Sequence, residues 1–114
     1  MSASASPAAA PAVTNTPGMS ALYQRFCQRL PERVATLQSG WRLWQVSNDG
    51  KAPDELVRGL HSLAGAAGLH GLDELTHRAR ALEQALLAPE ARPAAQASDF
   101  EALIACLKGL ATAP

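Results

Sequence analysis

Residues 53–71 read PDELVRGLHSLAGAAGLHG, and their spacing decides the fold. Leu56, Leu60, Leu63 and Ala67 recur at intervals of 4, 3 and 4, which places them on one stripe of an α-helix. Pro53 suits a helix start, and Asp54 and Glu55 put carboxylates at the positive end of the helix dipole. Leu69-His70-Gly71 closes the same helix.

The same periodicity extends outward in both directions. Upstream, Leu30, Val34, Leu37, Trp41 and Trp44 form a stripe on a helix whose first turn accepts Pro31, and Asn48-Asp49-Gly50 stops it. Leu22 and Phe26 suggest a shorter helix at about residues 20–29. Downstream, Asp73 and Glu74 open a helix carrying Leu72, Leu75, Ala79, Leu82 and Leu86. Pro89 and Pro93 read as a loop, after which Ser98 and Glu101 match a capping box for a last helix with Phe100, Leu103, Leu107 and Leu110. Four long amphipathic helices with short links predict an all-α, antiparallel up-down-up-down four-helix bundle with a short additional N-terminal helix. Residues 1–18 carry Ala, Ser, Pro and Thr without charge or period, so they read as a disordered tail or linker ahead of a bundle over 19–114.

Composition narrows the function classes. Apolar residues make up 47% of the 114-residue chain and aromatics only 4%, so leucine and alanine carry the packing. Ten basic and ten acidic residues cancel, and no basic cluster is interleaved with aromatics, which argues against nucleic acid. Apolar runs fall short of the ~20 residues that cross a bilayer. With no basic n-region and apolar block at the start, the expected location is the cytoplasm. Cys27 and Cys106 lie far apart on helical patterns and read as small core residues.

The chemistry gathers on the helix of residues 54–69. At about 100° per residue, His61 falls about 130° from the middle of the leucine stripe and therefore projects outward or along the bundle's edge. Arg58 lies one turn before it, Ala64 and Gly65 one turn after it, and Gly68 follows on the same face. Each glycine costs a helix about 1 kcal/mol relative to alanine, so two of them beside a histidine point to close approach by a partner. Neutral imidazole is a good nucleophile near neutral pH, yet no serine or cysteine nucleophile, orienting carboxylate or oxyanion loop accompanies it in the local sequence. An exposed nucleophile of this kind suits group transfer in which the partner brings the remaining catalysis.

The run His61-Ser62-Leu63-Ala64-Gly65-Ala66-Ala67-Gly68-Leu69-His70-Gly71 resembles the signature of histidine phosphotransfer (HPt) domains of bacterial phosphorelays, His-x-Leu-Lys-Gly with a further glycine near the helix end. Leu30-Pro31-Glu32-Arg33 in the preceding helix and Leu82-Glu83 in the following one fit as well, and the resemblance spans roughly residues 20–110. It implies that His61 accepts a phosphoryl group on Nε2 from a receiver-domain aspartate and passes it to another receiver. The implied partners are response-regulator receiver domains and a hybrid histidine kinase. No cofactor is expected on this chain, and Mg²⁺ is expected from the receiver. Gly65 and Gly68 would leave room for the incoming active site, and Arg58 would lend charge to the phosphoryl oxygens. One departure stands out: Ala64 occupies the position where the family usually has lysine, and loss of that cation is expected to slow transfer or change the lifetime of the phosphorylated form.

Other candidates are weaker. His70 and His77 flank a helix break and complete no ligand set with a carboxylate or thiolate, so no metal site is expected. Trp41 and Trp44 read as core or half-buried edge, and Glu83 either faces solvent or touches the His61 region, which spacing leaves open. The rival function is a non-catalytic docking module, a degenerate HPt that binds a receiver or kinase without transfer.

Overall fold

The computed structural model of the chain describes residues 17–47 and 50–112. The leucine and alanine stripes become five helices: α1 Pro17–Gln28, α2 Leu30–Val46, α3 Asp54–Leu69, α4 Asp73–Leu87 and α5 Pro93–Thr112. Helices α2 to α5 pack in a closed ring, each against the next and α5 back against α2. Short connections make successive helices antiparallel, giving the up-down-up-down bundle. Helix α1 lies over one end, where Phe26 is buried and packs its ring 5.0 Å from that of His70 at the close of α3.

The expected stripes supply the core. Leu30, Leu56, Leu60, Leu63, Ala67, Ala79, Leu103 and Leu107 are fully enclosed, and both tryptophans join them. Trp41 stacks on Phe100 with ring centroids 4.2 Å apart and planes inclined by 6°, which ties α2 to α5. Cys27 and Cys106 are free thiols, partly buried against this core. Leu22 departs from its expected role: it is exposed, and Phe26, with Cys27 partly buried beside it, anchors α1.

Local chemistry explains the helix ends. Gly71 has φ +70°, its N–H bonds the Gly68 carbonyl at 3.1 Å, and the Leu72 N–H bonds the Ala67 carbonyl at 3.0 Å. This is a Schellman stop, in which the left-handed residue is best supplied by glycine. It turns the chain directly into α4.

Two boundaries need correction. The tail was expected to reach residue 18, yet α1 already begins at Pro17, where proline is tolerated at a first helical position. Residues 1–16 of that tail, with Asn48 and Asp49 of the expected turn, lie outside the described residues. Helix α5 begins at Pro93, so Pro93 opens the helix and Ser98 sits exposed within it with no capping role. The start is set by Arg92, whose backbone N–H donates to Gln96 Oε1 at 2.9 Å. The run Ala94-Ala95-Gln96-Ala97 then has high helix propensity without needing burial.

Candidate functional site

His61 stands at mid-length on α3 with its side chain 79% exposed. Its wheel position turns it toward α4, on the same flank where Gly68 meets Thr76. Across that seam, Glu83 of α4 offers a carboxylate that is only 13% exposed, and His61 Nδ1 lies 3.1 Å from Glu83 Oε2. A carboxylate accepts, so Nδ1 carries the proton and donates. In the neutral ring this leaves the lone pair on Nε2, the nitrogen away from Glu83. The question that spacing left open is therefore answered: Glu83 touches His61, fixes the ring's orientation and selects its tautomer.

Glycines around the imidazole play different parts. A Cβ built on Gly65 meets nothing within 4 Å, so this position is open surface. A Cβ on Gly68 would lie 3.8 Å from Thr76 Oγ1 and 3.9 Å from Thr76 Cγ2, ordinary contact distances, so Gly68 borders the seam between α3 and α4 while staying exposed. Arg58 is exposed one turn before His61 and makes no side-chain hydrogen bond or ion pair with another described residue.

Ala64 is a correction. It was grouped with the bare patch, but it is 2% exposed and belongs to the core. The buried arc of α3 is wider than its leucines indicate, because closely packed α4 covers the flank where Ala64 sits. A lysine at this position would have to emerge from beneath α4 to reach the imidazole.

Sequence reasoning missed two further glycines, which act inside the bundle. A Cβ on Gly40 of α2 would lie 3.0 Å from Leu56 Cβ, and one on Gly59 of α3 would lie 3.1 Å from Leu37 Cδ2. Together they let α2 and α3 approach closely, which sets the position of the helix that carries His61. Their signal, glycine inside a helix, was present but could not be told from that of Gly65 without knowing which faces meet.

The remaining histidines have separate surroundings. His70 packs edge-on against Tyr23 at 5.6 Å and against Phe26, while His77 is exposed. Hydrogen bonding to the Cys27 thiol, followed by burial, raises the Tyr23 phenol above its ordinary pKa. Among the described residues no cluster of three or more His, Cys, Asp or Glu side chains could hold a metal ion, and no helix is long and apolar enough to cross a membrane.

On the α2 flank of α3, Arg33 Nη1 donates to Ser62 Oγ at 3.3 Å. Burial first, and then neighbouring Arg29, lowers the pKa of the Arg33 guanidinium from its ordinary value.

No curated protein and no solved structure matches the chain. The family model described as Hpt domain matches residues 21–113, nearly the whole bundle and the helix that presents His61, and the chain belongs to that histidine phosphotransfer family.

Proposed function

We propose that the chain is a working phosphotransfer module, in which His61 takes a phosphoryl group from the aspartate of a receiver domain and delivers it to another receiver. The observation that carries this reading is the pairing of an exposed imidazole with the sheltered carboxylate of Glu83, beside the open surface at Gly65. The Nε2 lone pair attacks phosphorus in line, an N–P bond forms, the acyl O–P bond breaks, and the aspartate leaves as carboxylate. Because Nδ1 keeps its proton, the phosphorylated ring carries positive charge, and Glu83 stands ready to balance it. Transfer to a second receiver reverses these steps. Mg²⁺ is assigned to the receiver side, where its charge offsets the phosphoryl oxygens.

The docking face follows from exposure. Gly65 provides clearance, Arg58 supplies a cation one turn away, and Leu69, at 68% exposed, continues the ridge of α3 toward Leu22 and Tyr23 of α1. An apolar anchor beside a cleared nucleophile is what a transient partner needs. Such transfer belongs in the cytoplasm, with a hybrid histidine kinase and response regulators as partners.

The deciding experiment incubates the protein with phosphorylated receiver domains and Mg²⁺ and looks for acid-labile, base-stable label on His61. Label on wild type and none on His61→Gln is expected. If wild type takes no label from cognate receivers while His61→Gln binds them equally well, the module only docks.

A further inference from the structure

Between α2 and α3, on the flank opposite Glu83, runs a groove of about 580 Å³. Leu37 and Gly59 form part of its lining, and Arg29, Arg33, Thr36 and Ser62 add two guanidinium groups and two hydroxyls. Glu32 also lines the groove but stands 3.7 Å from Arg29, and both of those side chains are well exposed. Arg33 differs from its neighbours. It is half-buried, its side chain donates to the neutral Ser62 hydroxyl, and no carboxylate lies within salt-bridge distance of it among the described residues. Burial and the like charge of Arg29 both work against its cationic form, and while Glu32 stands by Arg29, Arg33 has no carboxylate beside it to offset that cost.

We infer that this groove is the electrostatic part of the docking surface, and that Arg33, with Ser62 and Thr36, receives a carboxylate side chain of the incoming receiver domain. The inference rests on reading the chain as a phosphotransfer module and adds how its partner is recognised. A planar guanidinium presents paired N–H donors that match a carboxylate in bidentate fashion, and the two hydroxyls add further donors. The occupant comes from the partner because Glu83 holds the His61 ring toward α4, on the other flank of α3. A helix with its side chains is only about 10–12 Å across, so a domain seated over Gly65 overhangs both flanks at once. Ser62 follows His61 directly in the chain, which couples the groove's register to that of the nucleophile. Arg33 is thus a specificity-determining residue.

The test uses the full chain and purified receiver domains, with Arg33→Glu compared to wild type. Affinity for the unphosphorylated receiver is measured by calorimetry, and labelling of His61 is followed with phosphoramidate, a small donor that needs no docking. Arg33→Glu should weaken receiver binding by about tenfold or more, since it replaces an attractive charge pair at the interface with a repulsive one. Its labelling by phosphoramidate should match wild type. Reversing one acidic residue of the receiver to arginine should restore binding to Arg33→Glu and weaken binding to wild type. Unchanged affinity, or the absence of any such reversal that restores it, overturns the inference. Slowed phosphoramidate labelling with unchanged receiver affinity also overturns it, because Arg33 would then serve the phosphoryl group on His61. If wild-type His61 takes no label from any donor, the phosphotransfer reading fails instead, and the calorimetric comparison still decides the role of Arg33.

Discussion

Glu83 reaches His61 from a position 22 residues further along the chain and holds the imidazole in one tautomer at 3.1 Å. A hydrogen bond to a charged group contributes about 1.5–3 kcal/mol, and each 1.4 kcal/mol is about tenfold in rate. Glu83→Ala should therefore slow transfer about 10- to 100-fold while leaving helicity intact, as read by rapid-quench labelling and circular dichroism. Gly65 makes the opposite kind of prediction. With nothing within 4 Å of its Cβ position, Gly65→Ala should stabilise α3 by about 1 kcal/mol in urea unfolding. Gly65→Leu should also fold and yet transfer no phosphoryl group, because its side chain would fill the surface proposed for the receiver's approach. His61 and Gly65 were legible in the sequence because both follow from angle around a single helix. Glu83 was not, since its contact depends on the relative register of two helices. Ala64 was misplaced because a methyl side chain suits core and surface equally, and only the position of α4 decides between them.

At the level of the helices, the close approach of α2 and α3 depends on Gly40 and Gly59. Gly40→Leu would drive carbon into Leu56, whose Cβ already lies 3.0 Å from the glycine's Cβ position. Overpacking of this kind costs about 1–3 kcal/mol, so the melting temperature should fall, and transfer should weaken as α3 is displaced. The start of α5 depends on a different device. Gln96→Ala removes the acceptor for the Arg92 N–H and should cost about 1 kcal/mol or less, seen as earlier exchange of the first amides of α5. The sequence pointed to Ser98 for this boundary because an alanine-rich opening turn has no apolar stripe to announce it. Helix propensity built that turn where burial gave no signal. The stripes of α2, α3 and α4 were readable because in each the buried residues follow helical spacing.

Across the whole bundle, the contact between Trp41 and Phe100 closes the ring of helices between α2 and α5. A Trp41→Ala substitution opens a large cavity there at a cost of about 3–5 kcal/mol, a substantial part of the 5–15 kcal/mol typical of a domain. The variant should melt well below wild type in calorimetry. A bundle with this topology presents α3 and α4 as one continuous face, and the sequence disclosed that arrangement through its short links. It did not disclose which residues of the two helices meet, and this determined most of the site.

The two tryptophans of α2 sit together, Trp44 edge-on to Trp41 at 5.1 Å, and Trp41 stacks on Phe100 in the seam between α2 and α5. The imidazole and its carboxylate occupy a different seam, between α3 and α4. Intrinsic fluorescence excited in the indole band therefore watches one side of the molecule, while the phosphorylation proposed for His61 would fall on another. Phosphorylation confined to the ring of His61 is expected to leave that emission unchanged. A spectral shift on adding a receiver would instead register a rearrangement transmitted across the bundle, giving an unlabelled optical readout of rigidity during transfer.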